Sequence, residues 1–482
     1  MKYFIGIDLG TSSVKVILLD SNGQVVSSVT KDYPLYFPND GWSEQSPEDW
    51  YNETISALSE LLEDKDKENV ASISFSGQMH GLVMLDKDDK VIRPAILWND
   101  SRSFKETDDL NKDKDFLLDS TGNIAFAGFT LPKLLWVKEN ESENYGKIAK
   151  IMLPKDYLAY RLTGEFCTDV SDASGTLYFD VENRKWSEDI LNKFGIKEEL
   201  LPKVLESDEI SGYLRGELAE KFGLGKVAVS IGAGDNAASA IGMGAVKDGD
   251  CNISLGTSGT IFTVSDSYNC DRKNAIHAFC SAGRNYHYMA CILSAAVCCN
   301  WWVEKILRDD YSAVLSQENK LGDNNVLFLP YLMGERSPLN DTDIRGMFYG
   351  LSLNTEKDEM TLAVLEGVAF SLRHNMDIIR NLGVEVKKST ICGGGTKNKL
   401  WLKIIASILN VELIIRKNQD GGALGSAMLG AKGVLSKDEY TLLESKVYEV
   451  EETVKPDEAL SKKYEEKYRK WLKLYPAVKD IK

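Results

Sequence analysis

The chain opens on a pattern that builds strands. Residues 3–8 are an apolar run of β type, broken by the tight polar turn Leu9-Gly10-Thr11-Ser12-Ser13. Residues 14–20 form a second run, Ser21-Asn22-Gly23-Gln24 a second turn, and Val25-Val26-Ser27 begins a third strand. Three strands joined by short turns predict a meander rather than a strand–helix–strand unit. The period then changes. From 48 to 62, Trp50, Ile55, Leu58, Leu61 and Leu62 fall on one helical face. Residues 70–75 read as a strand again and run into Ser76-Gly77-Gln78-Met79-His80-Gly81.

The opening pattern recurs in the second half. A strand at 227–231 leads into Gly232-Ala233-Gly234-Asp235-Asn236, and a helix of small residues follows through Ala245. The polar break Val246-Lys247-Asp248-Gly249-Asp250 predicts a boundary between domains 1–247 and 248–482. Just beyond it come a strand at 251–255, the turn Gly256-Thr257-Ser258-Gly259 and a strand at 260–264. Later a strand at 389–392 ends in Gly393-Gly394-Gly395-Thr396, a helix is expected over 400–409, and another small-residue helix starts at Gly421. Two like halves, each with a Gly-Thr hairpin and a helix permitting close backbone approach, imply a cleft between them.

Composition narrows the function classes. The 482 residues are 43% hydrophobic and 27% charged, an ordinary globular balance. No apolar run approaches the roughly 20 residues of a membrane span, and no export signal opens the chain, so a cytoplasmic location without a membrane partner is expected. The net charge of −16 argues against a nucleic-acid partner. An anionic ligand must then be met locally, by backbone donors, hydroxyls or a metal ion. The eight cysteines contain no Cys-x-x-Cys and read as buried thiols.

Asp8 with Gly10, Thr11, Ser12 and Ser13 combines a carboxylate with turn amides and hydroxyls. That set cradles phosphate oxygens if a divalent cation screens Asp8, and it reads equally as an ordinary hairpin turn. It is not a P-loop, since no Gly-x-x-x-x-Gly-Lys-Ser/Thr occurs. Gly256 and Thr257 offer a second such turn. Gly393-Gly394-Gly395 leaves room for a flat ring at the backbone or forms a flexible loop. Asp235, between a strand end and a small-residue helix, suits either a helix cap or a base accepting a hydroxyl proton. His80 suits a polar ligand or a structural contact. The segment 98–102 pairs an aromatic wall, Trp98, with amide, carboxylate and guanidinium groups, and reads also as a satisfied polar loop.

Taken in order, these segments resemble the FGGY family of carbohydrate kinases over nearly the whole chain. The resemblance rests on 5–12, 77–81, 96–102, 130–136, 153–158, 234–238, 254–259 and 330–336. It implies an α/β architecture of two ribonuclease-H-like (actin/hexokinase-type) domains with an interdomain cleft, and ATP and Mg²⁺ as cofactors. It implies Asp235 as the base, Asp8 near metal and phosphates, and Thr11, Ser12, Gly256 and Thr257 at the phosphates. Gly394, Gly395 and Thr396 are expected at adenosine, with Asn398 or Lys399 beside them; Met79, His80, Trp98 and Asn236 are expected at the sugar. Met79-His80 points to the ketose D-xylulose as acceptor, with gluconate and D-ribulose as alternatives. A non-catalytic sensor on the same fold is the reading from another class, and a homodimer is compatible with all of these.

Overall fold

The computed structural model describes residues 1–309 and 321–481. Two seven-stranded sheets organise it. In the first, β1 (Tyr3–Leu9), β2 (Ser13–Asp20) and β3 (Val25–Asp32) form the antiparallel meander expected from the alternation. Helix α1 (Pro47–Leu61) returns the chain so that β4 (Val70–Gly77) lies parallel to β1. After a long insertion carrying α2 (Thr130–Asn140) and α3 (Pro154–Thr163), the sheet is completed by three short strands. These are β5 (Ile210–Tyr213), β6 (Ala228–Ser230) and β7 (Ala233–Gly234), giving the order β5-β6-β4-β1-β2-β3 with β7 also on β4.

The second sheet repeats the plan. Strands β8 (Cys251–Leu255), β9 (Gly259–Ser265) and β11 (Tyr286–Ile292) form the meander, with β10 (His277–Cys280) outside it. Strands β12 (Lys388–Cys392) and β13 (Glu412–Arg416) run parallel to β8, and β14 (Val450–Val454) closes the edge. With β5 and β7 set aside in the first sheet and β10 and β14 in the second, the core order third-second-first-fourth-fifth is the same in both. This is the ribonuclease-H-like duplication, and the Gly-Thr turns occupy equivalent positions between the first two strands of each. Position by position, Asp8 corresponds to Ser254 and Thr11 to Thr257, so only the first half brings a carboxylate to its turn.

Four more helices matter to the site: α4 (Asp235–Met243), α5 (Lys357–Asn381), α6 (Lys399–Leu409) and α7 (Gly421–Lys432). Helices α4 and α7 cross with their backbones in contact. A Cβ on Gly425 would overlap the Ala238 carbonyl, and one on Gly242 would overlap that of Gly421. Although α7 follows the second sheet in sequence, it lies on the first: a Cβ on Gly6 of β1 would overlap the Ala423 carbonyl oxygen. The small residues that marked both helices in the sequence are thus the condition for this crossing. Apolar residues from both sheets, including Phe4, Ile17, Phe262 and Val264, pack with Ala237, Ala238, Ala423 and Leu424 around it. Separate cores lie behind each sheet, and a further one fills the insertion.

Candidate active site

The site assembles where strand ends meet the crossing helices. Asp8, at the end of β1, receives a hydrogen bond from the Ser76 hydroxyl of β4 at 2.8 Å. Its other oxygen lies at the start of α7, where a Cβ on Gly422 would come within 2.6 Å of it. Glycine there leaves a cradle at a helix N-terminus, a place that favours negative charge. Burial raises the Asp8 pKa; the Ser76 bond opposes this, and the charge of Asp420 adds to it. Lys15, directly opposite Asp8 on β2, forms an ion pair with Asp420 at 2.5 Å. That lysine is a cation at the phosphate-turn end of the site which the sequence reading did not single out. Its period-two position beside Asp8 was the available signal.

The first turn is braced from behind. The Gln45 amide donates to the Thr11 carbonyl at 2.6 Å, and its own oxygen accepts from Gln78 and from the Trp50 indole, both at 3.0 Å. The Tyr33 hydroxyl bonds the Gly10 carbonyl. The outward side is free, with Ser12 exposed and Gly10, Thr11 and Ser13 half-buried. Trp98 donates its indole N–H to the Thr11 hydroxyl at 3.0 Å, which leaves that hydroxyl's proton available to a ligand oxygen. In the second turn the Gly256 and Thr257 carbonyls accept from the backbone N–H groups of Ala296 and Ala295, and the Thr257 side chain is exposed.

Asp235 begins α4. Its Oδ1 accepts from the backbone and side-chain nitrogens of Asn236 at 2.6 and 2.7 Å. It is half-buried, and desolvation together with the charge of Asp8 pushes its pKa up to about 7. A carboxylate so poised takes up a proton near neutral pH, which suits a general base.

Met79 and His80 both border Gly175. Met79 is buried against Gly234, whose added Cβ would meet its Cγ at 2.9 Å. His80 sits at φ 69°, a conformation unusual for a non-glycine residue. Its carbonyl is held there by Lys133 Nζ at 2.9 Å and by the Thr130 hydroxyl at 3.2 Å. Its Nδ1 lies 2.8 Å from the Gly175 carbonyl. A carbonyl oxygen only accepts, so Nδ1 carries the proton and Nε2 presents a lone pair. Burial, with the charge of Lys133, pushes the His80 pKa down to about 3 although the Gly175 bond opposes it, so the ring is neutral. The imidazole also packs on Phe129, with ring centroids 4.7 Å apart. Arg336, a residue of the second half, lies over Phe126 and forms no ion pair within 4 Å among the described residues.

The remaining expected positions divide. Gly393 takes φ 96°, and a Cβ on Gly394 would meet nothing within 4 Å, so the backbone of this loop is open to a flat group. The Thr396 hydroxyl turns back to the Gly393 carbonyl at 2.8 Å. Asn398 caps α6 through the Trp401 N–H at 3.2 Å, and its buried amide nitrogen is unpartnered among the described residues. The Lys399 ammonium is exposed and paired with Glu452 at 3.2 Å. Asp100 and Arg102, offered with Trp98 as polyol ligands, are buried and bonded to each other at 2.7 Å, with Arg102 over the Trp42 ring. No cluster of three or more metal-ligating side chains occurs among the described residues. That fits a cation held by one carboxylate and by phosphate oxygens rather than by a protein cage.

Two ribonuclease-H-like sheets, a hydroxyl-bearing turn in each and a carboxylate at the start of α4 fit a phosphotransferase of the two-domain sugar-kinase class. The chain belongs to the FGGY family of carbohydrate kinases: the family's N-terminal domain matches residues 3–242 and its C-terminal domain residues 251–434. It is 42% identical to the xylulose kinase of Bacillus subtilis over 441 residues, covering 90% of this chain and 88% of that one. Among solved structures, the xyloylose kinase of Brucella ovis is 41% identical with a TM-score of 0.94, each chain covered in full. The gluconate kinase of Lactobacillus acidophilus is 28% identical with a TM-score of 0.93, covering 100% of this chain and 99% of that one. The chain is a sugar kinase that uses ATP. No helix among the described residues is long and apolar enough to cross a membrane.

Proposed function

We propose that the chain phosphorylates D-xylulose to D-xylulose 5-phosphate, with Asp235 as general base. The observation that carries this is the position of Asp235, its pKa near 7, at the start of α4, where Met79 packs on the adjoining Gly234 and shares the Gly175 contact with the neutral His80 acceptor. Asp235 takes the proton of the terminal hydroxyl as that oxygen bonds the γ-phosphorus. The bond to the bridging oxygen breaks in line, and ADP leaves. Asn236 keeps the carboxylate oriented, Met79 and Trp98 wall the sugar, and His80 Nε2 accepts a hydrogen bond from one of its hydroxyls. Gly10, Thr11, Ser12 and Ser13 receive the phosphates on one side and Gly256 and Thr257 on the other, while Gly394, Gly395 and Thr396 receive adenosine. Asp8, in the Gly422 cradle, is the residue that would hold Mg²⁺, whose charge would offset that of the phosphates. Lys399 would need to leave Glu452 to reach nucleotide; Asn398, with its free amide, needs no such move.

The same reading puts the domain boundary in the turn 246–250, supported by the Asp250 carboxylate that caps the Val246 and Lys247 amides. A cytoplasmic location is supported by eight free cysteines. Assembly as a homodimer belongs to the same proposal, with sedimentation as its test.

A second reading, a sugar acid as acceptor, is favoured by Arg336, whose charge bears on His80 and which forms no ion pair within 4 Å among the described residues. ADP release measured across D-xylulose, D-ribulose and gluconate separates the two. D-xylulose is expected to give the highest kcat/KM. Gluconate in first place would replace the ketose reading, and the absence of any sugar-dependent ADP release would leave a sensor.

A further inference from the structure

We infer that Ser171 and Gly175, on the buried turn 169–176, are positioning residues that hold the base and the sugar-facing histidine in register. The inference rests on Asp235 being the base, as proposed above. The backbone N–H of Gly234, the residue before Asp235, donates to the Ser171 hydroxyl at 3.1 Å. That hydroxyl donates in turn to Asp169 Oδ2 at 2.5 Å, so its proton is committed and its lone pair faces Gly234. Four residues on, the Gly175 carbonyl receives the His80 ring, and a Cβ at Gly175 would strike that ring. One turn therefore touches the backbone beside the base and the imidazole on the sugar.

What fixes the turn is a buried charge cluster that the phosphoryl transfer itself does not use. Lys155, wholly buried, pairs with Asp156 at 2.6 Å and Asp169 at 2.8 Å, with Asp172 at 3.7 Å. Burial alone would lower the lysine's pKa, but the three aspartates outweigh it and keep the ammonium charged. Asp169 also caps the turn through the Ser171 amide at 2.8 Å and accepts the Ser207 hydroxyl at 2.7 Å. The second half enters here too, because the Cys280 N–H of β10 donates to Ser174 at 3.0 Å. A turn anchored this way has little freedom, and alignment of a base is sensitive to small displacements.

The test compares two alanine variants of the full chain. Ser171→Ala removes the bond to Gly234. Ser207→Ala removes the other hydroxyl on the same Asp169 oxygen and leaves Gly234 alone. Ser171→Ala is expected to lower kcat roughly ten- to a hundred-fold with KM for ATP unchanged, Ser207→Ala, which touches only the anchor Asp169, to lower it far less, and Ser171→Thr, which retains the hydroxyl, to recover it. Equal losses in both alanine variants, or a normal kcat in Ser171→Ala, would overturn the inference. A measurement on the wild type keeps it testable if Ser171→Ala does not fold. The Gly234 amide should exchange with solvent at least about a hundred-fold more slowly than an exposed amide, and fast exchange would also overturn it. The comparison uses whichever sugar the wild type turns over, so a failure of the D-xylulose reading leaves it intact. Full turnover in Asp235→Asn would remove the base reading without altering Gly234 exchange.

Discussion

Asp8 raises the proton affinity of Asp235. The two carboxylates come from the end of β1 and the start of α4, 227 positions apart in sequence, and the charge of the first adds to burial in lifting the second to about 7. The base is active only when ionised, so kcat should fall by about tenfold per pH unit on the acidic side of an apparent pKa near 7. Removing the Asp8 charge lowers that pKa. The residual activity of Asp8→Asn should therefore keep its acidic limb at a lower pH than the wild type. Matched pH profiles of the two proteins check this, and coincident limbs would contradict the coupling.

The raised pKa is also a stability statement. A carboxyl that is easier to protonate folded than unfolded weakens folding as pH rises from its ordinary 3.8 to about 7, and the cost persists above that window. Asp235→Asn removes the ionisation and keeps the shape. It should be more stable than the wild type by about 4 kcal/mol at pH 8 and nearly equally stable near pH 4. Urea unfolding at the two pH values measures the difference. The same variant should lose activity by roughly 10²–10⁴-fold while still binding ATP.

Asp8→Asn carries a second expectation. If Asp8 holds the cation, the Mg²⁺ concentration giving half-maximal rate should rise at least about tenfold, since one charged oxygen ligand of the few the protein supplies is lost. A Mg²⁺ titration at saturating sugar gives the value, and an unchanged midpoint would move the metal elsewhere.

Trp98, proposed above as the sugar wall, is bonded to Thr11 of the turn proposed to receive the phosphates. Trp98→Phe keeps an aromatic face and removes the donor. A neutral hydrogen bond contributes about 1 kcal/mol, so KM for ATP should rise roughly five-fold, with KM for the sugar changing less. A change confined to the sugar would show that the indole serves only as a wall.

The crossing of α4 and α7 has its own signature. Gly425→Ala places a methyl group where the Ala238 carbonyl oxygen stands, and both sides of that contact are backbone. The better helix propensity of alanine, about 1 kcal/mol, cannot offset the overlap. A net destabilisation of about 1–3 kcal/mol, read by thermal or urea unfolding, is expected.

Much of this was legible in the chain. The meander, the repeated Gly-Thr turns and the two small-residue helices each follow from local spacing, and each appears within a few residues of its expected limits. What local pattern could not convey depends on distant partners. Lys15 meets Asp420 across 405 positions, and the tautomer of His80 is set by a carbonyl 95 residues away. Lys399 illustrates the reverse. A lysine at a helix start near a glycine loop suggests nucleotide, but its ammonium has a closer acidic neighbour in Glu452 on the edge strand. Arg102 likewise sits in a polar pentapeptide that suggests a ligand surface, and Asp100 and Trp42 absorb it.

Helix α7, made by the second half and seated on the first sheet, interlocks the two halves rather than tethering them. A chain severed at the turn 246–250 would leave the leading fragment with Gly6, Ser72 and Ser74 facing solvent where α7 had been, and the trailing fragment with an apolar helix and nothing to cover it. Each piece keeps the core behind its own sheet, but neither covers the face on which α4 and α7 cross. That shared face is completed only by both halves, which are therefore expected to complement one another when both are present together.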